Sequence, residues 1–296
     1  MLSLITIGIP FYNNESTLAD TLRSVFAQSF QDWELILLND GSADGSLEIA
    51  RAVRDRRVRV LTDDVNKGIG ARRQQIIDAA AGELLAWQDA DDLMHPDRLA
   101  IQHEYMQAHP SCGLVDNWTY AIDTENNIVS IHKLPKLELT MAAVIKNPCM
   151  LNGSSMGRVE LYRANPYDLT LRRAEDWELW IRAYQNYEFG RVPQPLYFRR
   201  CVQAGGRLFE AKALRSLAYT RRVILKHGPR HIGLLRSLSF VAEHYARGYT
   251  RVGLSALGLQ RLRPSAGKMV ISDAELQSAQ TALDRILATQ IPGIDS

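Results

Sequence analysis

Cysteine is scarce in this 296-residue chain. Only Cys112, Cys149 and Cys201 occur, widely spaced and outside any Cys-x-x-Cys pattern. That argues against a disulfide framework or a zinc site and fits a reducing cytoplasm. Long apolar runs are missing too, since none approaches the roughly 20 residues that span a bilayer. The opening MLSLITIGIP has no basic leader and no signal-length apolar core, so it reads as a β-strand and secretion is not expected. Internal repeats and low-complexity tracts are absent. Apolar residues make up 46% and charged residues 23%, which excludes disorder as the ground state.

Charge is present in both signs but unevenly placed. Residues 199–268 hold fifteen Lys or Arg and two Asp or Glu, a local +13 against +2 for the whole chain, which leaves −11 for the rest. The basic stretch favours an anionic neighbour such as a membrane surface, a nucleic acid or an acidic acceptor.

The first hundred residues alternate between two periodicities. LITIGIP, WELILLND, RVRVLT and ELLAWQ read as buried strands. STLADTLRSVFAQ, with Ser16 as its cap, DGSLEIARAV, IGARRQQIIDAAAG, stopped by Gly82, and PDRLAIQHEYMQAH, with Pro96 in its first turn, read as helices. Strand–helix alternation predicts a mainly parallel sheet with helices on both faces, and ligands at the carboxyl ends of its strands. The polar segments PFYNNES, NDGSADGS, DDVNKG and DADD fall at those ends. Residues 111–200 are less regular. Strand-like GLVDNWTYAI, NIVSIHKL, EFGRVP and PLYFRR accompany a helix around EDWELWIRAYQN, so a mixed extension of the sheet is expected. Beyond Gly206 the pattern is helical, punctuated at Gly228-Pro229, Gly248 and Pro264, and the less basic part after Ser272 is expected to pack back.

The run LLAWQDADDLMHPDRL sets Asp89, Asp91 and Asp92 at the end of a buried strand. In extended backbone Asp89 and Asp91 share a face and Asp92 turns away. Such carboxylates suit a hard divalent cation, or they cap the helix that starts near Pro96. Asp40 suits a nucleobase edge or ordinary Asp-Gly-Ser turn chemistry. Tyr12 can stack on a base or enter the core. Arg72 and Arg73 either meet phosphate or base or form a solvated helix face. Glu175 and Asp176 open a helix, where carboxylates are favoured in any case.

Taken jointly, ITIGIPFYNNESTLADTLRSVFAQSFQDWELILLNDGSADGS and NKGIGARRQQIIDAAAGELLAWQDADDLMHPDRL resemble the nucleotide-sugar-binding half of the family-2 inverting glycosyltransferases, closely over residues 3–108 and loosely over 109–202. The resemblance implies the GT-A fold, an α/β Rossmann-like mixed sheet, over residues 1–206. Within it, residues 1–108 would bind the nucleotide-sugar and 109–206 the acceptor, with a basic helical extension over 207–296. It implies Asp40 as reader of the base, usually uracil. Asp89 and Asp91 would be the DxD pair, Asp91 on Mn²⁺ or Mg²⁺ and Asp89 on ribose or metal, and Asp176 of the ED pair would be the catalytic base. The donor set implied is Pro10, Tyr12, Asn13, Glu15, Asp40, Asn66, Gly68, Arg73, Asp89 and Ala90. The acceptor set is Asn152, Ser154, Glu175 and Trp177, with Trp180 in the core.

Two positions depart from the pattern. Gln88 stands where a leucine-like residue is common, and no histidine follows the LYFRR strand, Val202 occupying the nearest position. A binder with weak or no turnover is therefore the alternative to an enzyme. CVQAGGRL reads as a flap over the donor. The tail is expected to be either a membrane-surface element at the inner face of the cytoplasmic membrane or a solvated or dimer-forming face. Nucleic acid is not expected as partner, for want of a binding motif. KGIGARR lacks the third glycine of a dinucleotide fingerprint and follows the third strand, not the first.

Overall fold

The computed structural model describes residues 4–137, 139–201, 207–256, 268–269 and 271–295. The first half runs β1 (Ile5–Phe11), α1 (Leu18–Phe26), β2 (Trp33–Asn39), α2 (Ser46–Ala52), β3 (Val58–Leu61), α3 (Ile69–Ala79), β4 (Leu84–Trp87), β5 (Leu93–Met94) and α4 (Arg98–Ala108). It continues with β6 (Cys112–Ile122), β7 (Ile128–His132), α5 (Met141–Lys146), β8 (Met156–Arg158), α6 (Val159–Ala164), α7 (Glu175–Ala183) and β9 (Glu188–Arg200). Helices α8 (Arg207–Ile232) and α9 (Leu234–Ala256), the short β10 (Lys268–Met269) and α10 (Asp273–Leu287) complete the chain.

Strands β3, β2, β1 and β4 lie side by side and parallel, so their carboxyl ends share one edge. The sheet then turns mixed: β8 is antiparallel to β4 and β6, while β9 runs parallel to β6. Side-chain alternation sorts the core onto two faces. Ile5, Ile7, Ile9, Leu35 and Leu37 pack with Leu18, Leu22 and Val25 of α1 and Leu99 of α4. Ile36, Leu38, Leu85 and Trp87 pack with Ile76 and Ile77 of α3 and Trp177, Trp180 and Ile181 of α7. Each such aliphatic side chain contributes about 2 kcal/mol of burial, which is why four apolar strands in register fix the position of the polar edge.

Several boundaries differ from the sequence reading. Thr17 rather than Ser16 precedes α1, and no side chain caps it. Helix α3 stops at Ala79, before Gly82, whose N–H instead donates to Thr6 Oγ1. EFGRVP and PLYFRR form one strand, β9. Pro195 lies where its register with β6 slips, a place where a ladder tolerates a missing donor. Gly228 and Pro229 lie inside α8; the break comes at Gly233, at φ 83°, and Gly248 lies within α9 against Leu217. Residues 202–206 of the CVQAGGRL flap, Val202 among them, and Pro264 fall outside the described residues.

The C-terminal helices are built into the core. Val223, Ile224 and Phe240 join the α7 face. Helix α10 returns past the sheet: its Ala279, Leu283 and Ile286 pack with Tyr120 and Phe198, and Ile291 beyond it reaches the α1 face. Glu178 of α7 is wholly buried and accepts from Arg182 and Lys226, with His227 Nε2 at 2.9 Å. Burial pulls its carboxyl upward, but His227, Arg182 and Lys226 prevail and hold it at about 2. Its contribution is thus complete above its unfolded value near 4.5 and fades as pH falls toward about 2. Glu178→Gln should cost about 2 kcal/mol at pH 7 in urea denaturation. An unchanged midpoint would show that this buried cluster does not tie α7 to α8. No helix among the described residues is long and apolar enough to cross a membrane.

Candidate active site

The polar edge opens into a cleft of about 660 Å³ lined by Pro10, Tyr12, Asn14, Asp40, Asn66, Gly68, Asp89, Ala90 and Asp91, with Leu171, Arg172 and Arg173 on the far wall. Tyr12 is 48% exposed and stands over the opening, so it is not a core residue. Asp40, 6% exposed, is the floor. Its Oδ1 accepts from Lys67 N at 2.7 Å and Arg72 Nε at 2.7 Å, and its Oδ2 from Gly68 N at 3.1 Å. One carboxylate thereby fixes the whole β3–α3 turn, and Gly68, at φ 85°, supplies the left-handed backbone that brings two N–H groups to it. Arg72 is 1% exposed and also reaches Asp63 at 2.5 Å. The solvated helix face considered for Arg72 and Arg73 is therefore ruled out, because α3 buries both.

Asn13 and Glu15 do not line the cleft. Asn13 Oδ1 accepts from Ala43 N at 2.8 Å and Glu15 Oε2 from Gly45 N at 3.0 Å, so both latch the loop after β1 to the loop after β2. Asn14 takes the cleft position instead.

Asp89 and Asp91 open onto the cleft, while Asp92 turns inward and accepts from Arg200 N at 2.7 Å. Burial first, then the charges of Asp89 and Asp91, push the Asp92 carboxyl up to about 8. Desolvation and the Asp89 charge also raise Asp91. Two carboxylates that repel each other at an open cleft have the chemistry that a hard divalent ion favours. Among the described residues no group of three or more His, Cys, Asp and Glu forms a closed metal cage. Gly153 sets the Asp89 carboxylate: a Cβ there would lie 2.4 Å from Asp89 Oδ2 and 2.7 Å from Tyr197 Oη. Gly153→Ala should displace Asp89 and lower metal-dependent nucleotide affinity by about tenfold in calorimetry. Affinity equal to wild type would show that Asp89 is not held by this contact.

Arg73 joins this edge to α7. Its Nη1 donates to Glu175 Oε1 at 2.9 Å, and its Nη2 lies 3.6 Å from Asp89 Oδ1. With its amide oxygen turned toward the guanidinium, Asn152 accepts from Nη2 at 3.0 Å. The guanidinium also sits 5.7 Å over the Trp87 ring. Glu175 is thus committed to Arg73. The neighbouring Asp176 is partly buried and accepts only from Trp177 N, at 2.7 Å, among the described hydrogen bonds. Burial raises the Asp176 carboxyl, with Arg73 opposing and Asp89 adding to the rise. Asp176 and Asp89 line one pocket of about 200 Å³, together with Asn152, Ser154 and Tyr197. Asp176 also borders a second groove of about 620 Å³, walled by Arg172, Arg173, Ser216, Thr220 and His244.

The acceptor set needs correction. Trp177 is 1% exposed and donates through Nε1 to Val144 O at 2.6 Å, so its ring cannot stack on a sugar. Trp180 is core, as expected. Ser154 Oγ is turned to Leu151 O, and Glu175 to Arg73. Asn14, Lys67, Leu171, Arg172, Arg173 and Tyr197, which the sequence reading did not name, also line these cavities. The Arg-Arg immediately before Ala-Glu-Asp was the visible signal for two of them.

The Glycosyl transferase family 2 model matches residues 6–165. The putative glycosyltransferase EpsE of Bacillus subtilis is 30% identical over 187 residues, 61% of this chain and 66% of that protein. An Escherichia coli protein, the UDP-Glc:alpha-D-GlcNAc-diphosphoundecaprenol beta-1,3-glucosyltransferase WfgD, is 29% identical over 60% of this chain and 68% of its own length. Among solved structures, S. aureus TarS 1-349 in complex with UDP-GlcNAc superposes with a TM-score of 0.65 at 18% identity, covering 95% of this chain and 89% of that one. The Pyrobaculum calidifontis mannosyltransferase PcManGT, in complex with GDP-Man and Mn²⁺, gives 0.60 at 14%, covering 96% and 85%. At those identities the likeness carries the fold, which is GT-A.

Proposed function

This chain belongs to glycosyl transferase family 2, and on that premise we propose that it moves a sugar from a nucleoside-diphosphate sugar, a UDP-sugar first, to a hydroxyl of a glycan or lipid-linked acceptor, with inversion, in a single displacement. The observation that carries this reading is the small pocket that Asp89 and Asp176 line together, between the donor cleft and the groove beyond α7.

The nucleoside enters over Asp40, whose turn presents Lys67 and Gly68 at the cleft floor, and Tyr12 offers its ring to the base. The diphosphate lies toward Asp89 and Asp91, which would hold Mg²⁺ or Mn²⁺; that ion, when bound, neutralises the leaving diphosphate. Arg73 stands between Glu175, which it pairs at 2.9 Å, and Asp89, 3.6 Å away, and so holds the two carboxylates on either side of one cation beside Asp176. Asp176 takes the acceptor hydroxyl's proton as the hydroxyl attacks from the side opposite the diphosphate. A cytoplasmic site for the reaction is part of the proposal, and three cysteines without a pairing pattern agree with it. The neighbours solved with UDP-GlcNAc and with GDP-Man and Mn²⁺ support the donor class and the ion.

A thermal-shift panel of nucleoside diphosphates with and without Mn²⁺, followed by a donor screen read as nucleotide release, tests the reading. One diphosphate should stabilise the protein in a metal-dependent way, and its sugar should support release. No response to any of them would end it.

A further inference from the structure

We propose that Arg172 and Arg173 form an oxyanion-binding edge on the groove behind Asp176, and that the acceptor entering there carries a phosphate-type anion. The proposal rests on the reading of Asp176 as base.

The loop that carries the two arginines is held in an unusual shape. Ala174, a residue with a Cβ, adopts φ 60° and ψ 21°, left-handed backbone that costs about 1 kcal/mol and turns the chain sharply into α7. Three other cations are used up in holding this loop. Lys226 Nζ binds Asp168 Oδ2 at 3.0 Å, Arg222 Nη2 binds Thr170 Oγ1 at 2.7 Å, and Arg182 Nη2 binds Pro166 O at 2.6 Å. Arg172 and Arg173 are left exposed. Among the described residues neither makes an ion pair, and Arg173 touches Ser216 Oγ at 3.3 Å. Strain and three anchoring cations thus present two uncompensated guanidiniums to a cavity.

The carboxylates at the inner end of the groove do not cancel that charge. Glu175 is matched by Arg73, which leaves Asp176 alone against two arginines. Hydroxyls of Ser216 and Thr220 on α8 line the same wall. A planar guanidinium fork fits phosphate oxygens in paired hydrogen bonds.

Two anions could meet this edge, because Arg172 and Arg173 border the donor cleft as well as the groove. One is the diphosphate of the donor and the other a phosphate on the acceptor. Asp40 lies in the cleft, whose lining does not include Asp176, whereas Ser216, Thr220 and His244 line the groove that Asp176 borders. A molecule whose hydroxyl reaches Asp176 from the groove is the acceptor, and the geometry assigns the arginine edge to it.

The probe is glycerol 1-phosphate, titrated by calorimetry into the protein alone and into protein saturated with UDP and Mn²⁺, with glycerol as neutral control. Wild type should bind glycerol 1-phosphate in both states and glycerol in neither. Arg172→Gln/Arg173→Gln should lose at least about tenfold in that affinity while UDP affinity stays within about twofold. Arg221→Gln, an exposed cation on α8, should change neither. If the double variant does not fold, the single variants carry the test, each with a partial loss. Wild type that binds no glycerol phosphate, or a double variant that binds it as wild type does, overturns the proposal. Competition between glycerol phosphate and UDP, or an equal loss of UDP affinity, assigns the arginines to the donor and overturns it as well. Absence of nucleotide binding by wild type would instead sink the donor reading, and the phosphate titration on protein alone would still report on the edge.

Discussion

Asp176→Asn should cut sugar transfer by about a thousandfold and leave the affinity for the donor nucleotide within about twofold. The amide is nearly isosteric and its oxygen can still accept from Trp177 N, as the carboxylate does at 2.7 Å, so α7 should start as before. What the amide cannot do is take a proton. Glu175 offers no substitute while Arg73 holds it at 2.9 Å, which is the physical reason for preferring the second carboxylate of the pair. A pH profile sharpens the test. Burial raises the Asp176 carboxyl against the opposing charge of Arg73, and Asp89 adds to the rise, so the ionised, active form is lost as pH falls through a value raised from its ordinary one. The wild-type rate should therefore climb with pH along an acid limb, and the variant's residual rate should lose that limb. Product formation and nucleotide release should fall together. Transfer that survives at a wild-type rate would move the base elsewhere and would dissolve the link between the two cavities.

The parallel half of the fold was legible because its signal is local. Ile5, Ile7 and Ile9 alternate with residues facing α3, and the polar loops follow each strand, so the edge of the sheet could be placed from the sequence alone. Asp40, Asp89, Asp91 and Asp176 could be named because short-range motifs carry them. What was not legible depends on contacts across many residues. Nothing local to Asn13 or Glu15 says that the loop after β2 will take up both side chains. Trp177 has the composition of a sugar platform, and only the packing of α7 against α5 reveals that Val144 O occupies its indole N–H. The prolines of β9 suggested two strands, because a register slip against β6 leaves no mark in the sequence. Gly228-Pro229 looked like a helix end, yet the chain turns at Gly233, where left-handed backbone is actually required. Arg73 was placed at the donor on family likeness, but its partner, Glu175, is 102 positions away.

That separation makes Arg73 the residue whose loss should matter most to the folded state. Arg73→Met keeps much of the side chain's bulk over Trp87 and removes the charge. Burial works against an ionised guanidinium here, but the carboxylates of Glu175, Asp89 and Asp176 help to reverse that, so the wild-type side chain stays charged throughout the working range. Without it, Glu175, which is 5% exposed, loses its ion-pair partner while the charges of Asp176 and Asp89 still act on it. Breaking a buried pair in this way costs about 3–5 kcal/mol. The sign of the pH dependence separates lost charge from lost packing. Burial and the Asp176 charge already raise the Glu175 carboxyl, and removing Arg73 raises it further. An acid whose folded value lies above its unfolded one binds protons in the native state first, so the variant gains stability as pH falls and loses it as pH rises. Urea denaturation with metal chelated should therefore show a large deficit at pH 8 that narrows by pH 5, and Arg73→Lys, which restores charge without the fork, should show a smaller deficit at both. A deficit of under about 1 kcal/mol, or one equal at the two pH values, would mean that the carboxylates of α7 and of the β4 edge do not depend on this arginine. Arg73 would then not be what brings the two halves of the site together.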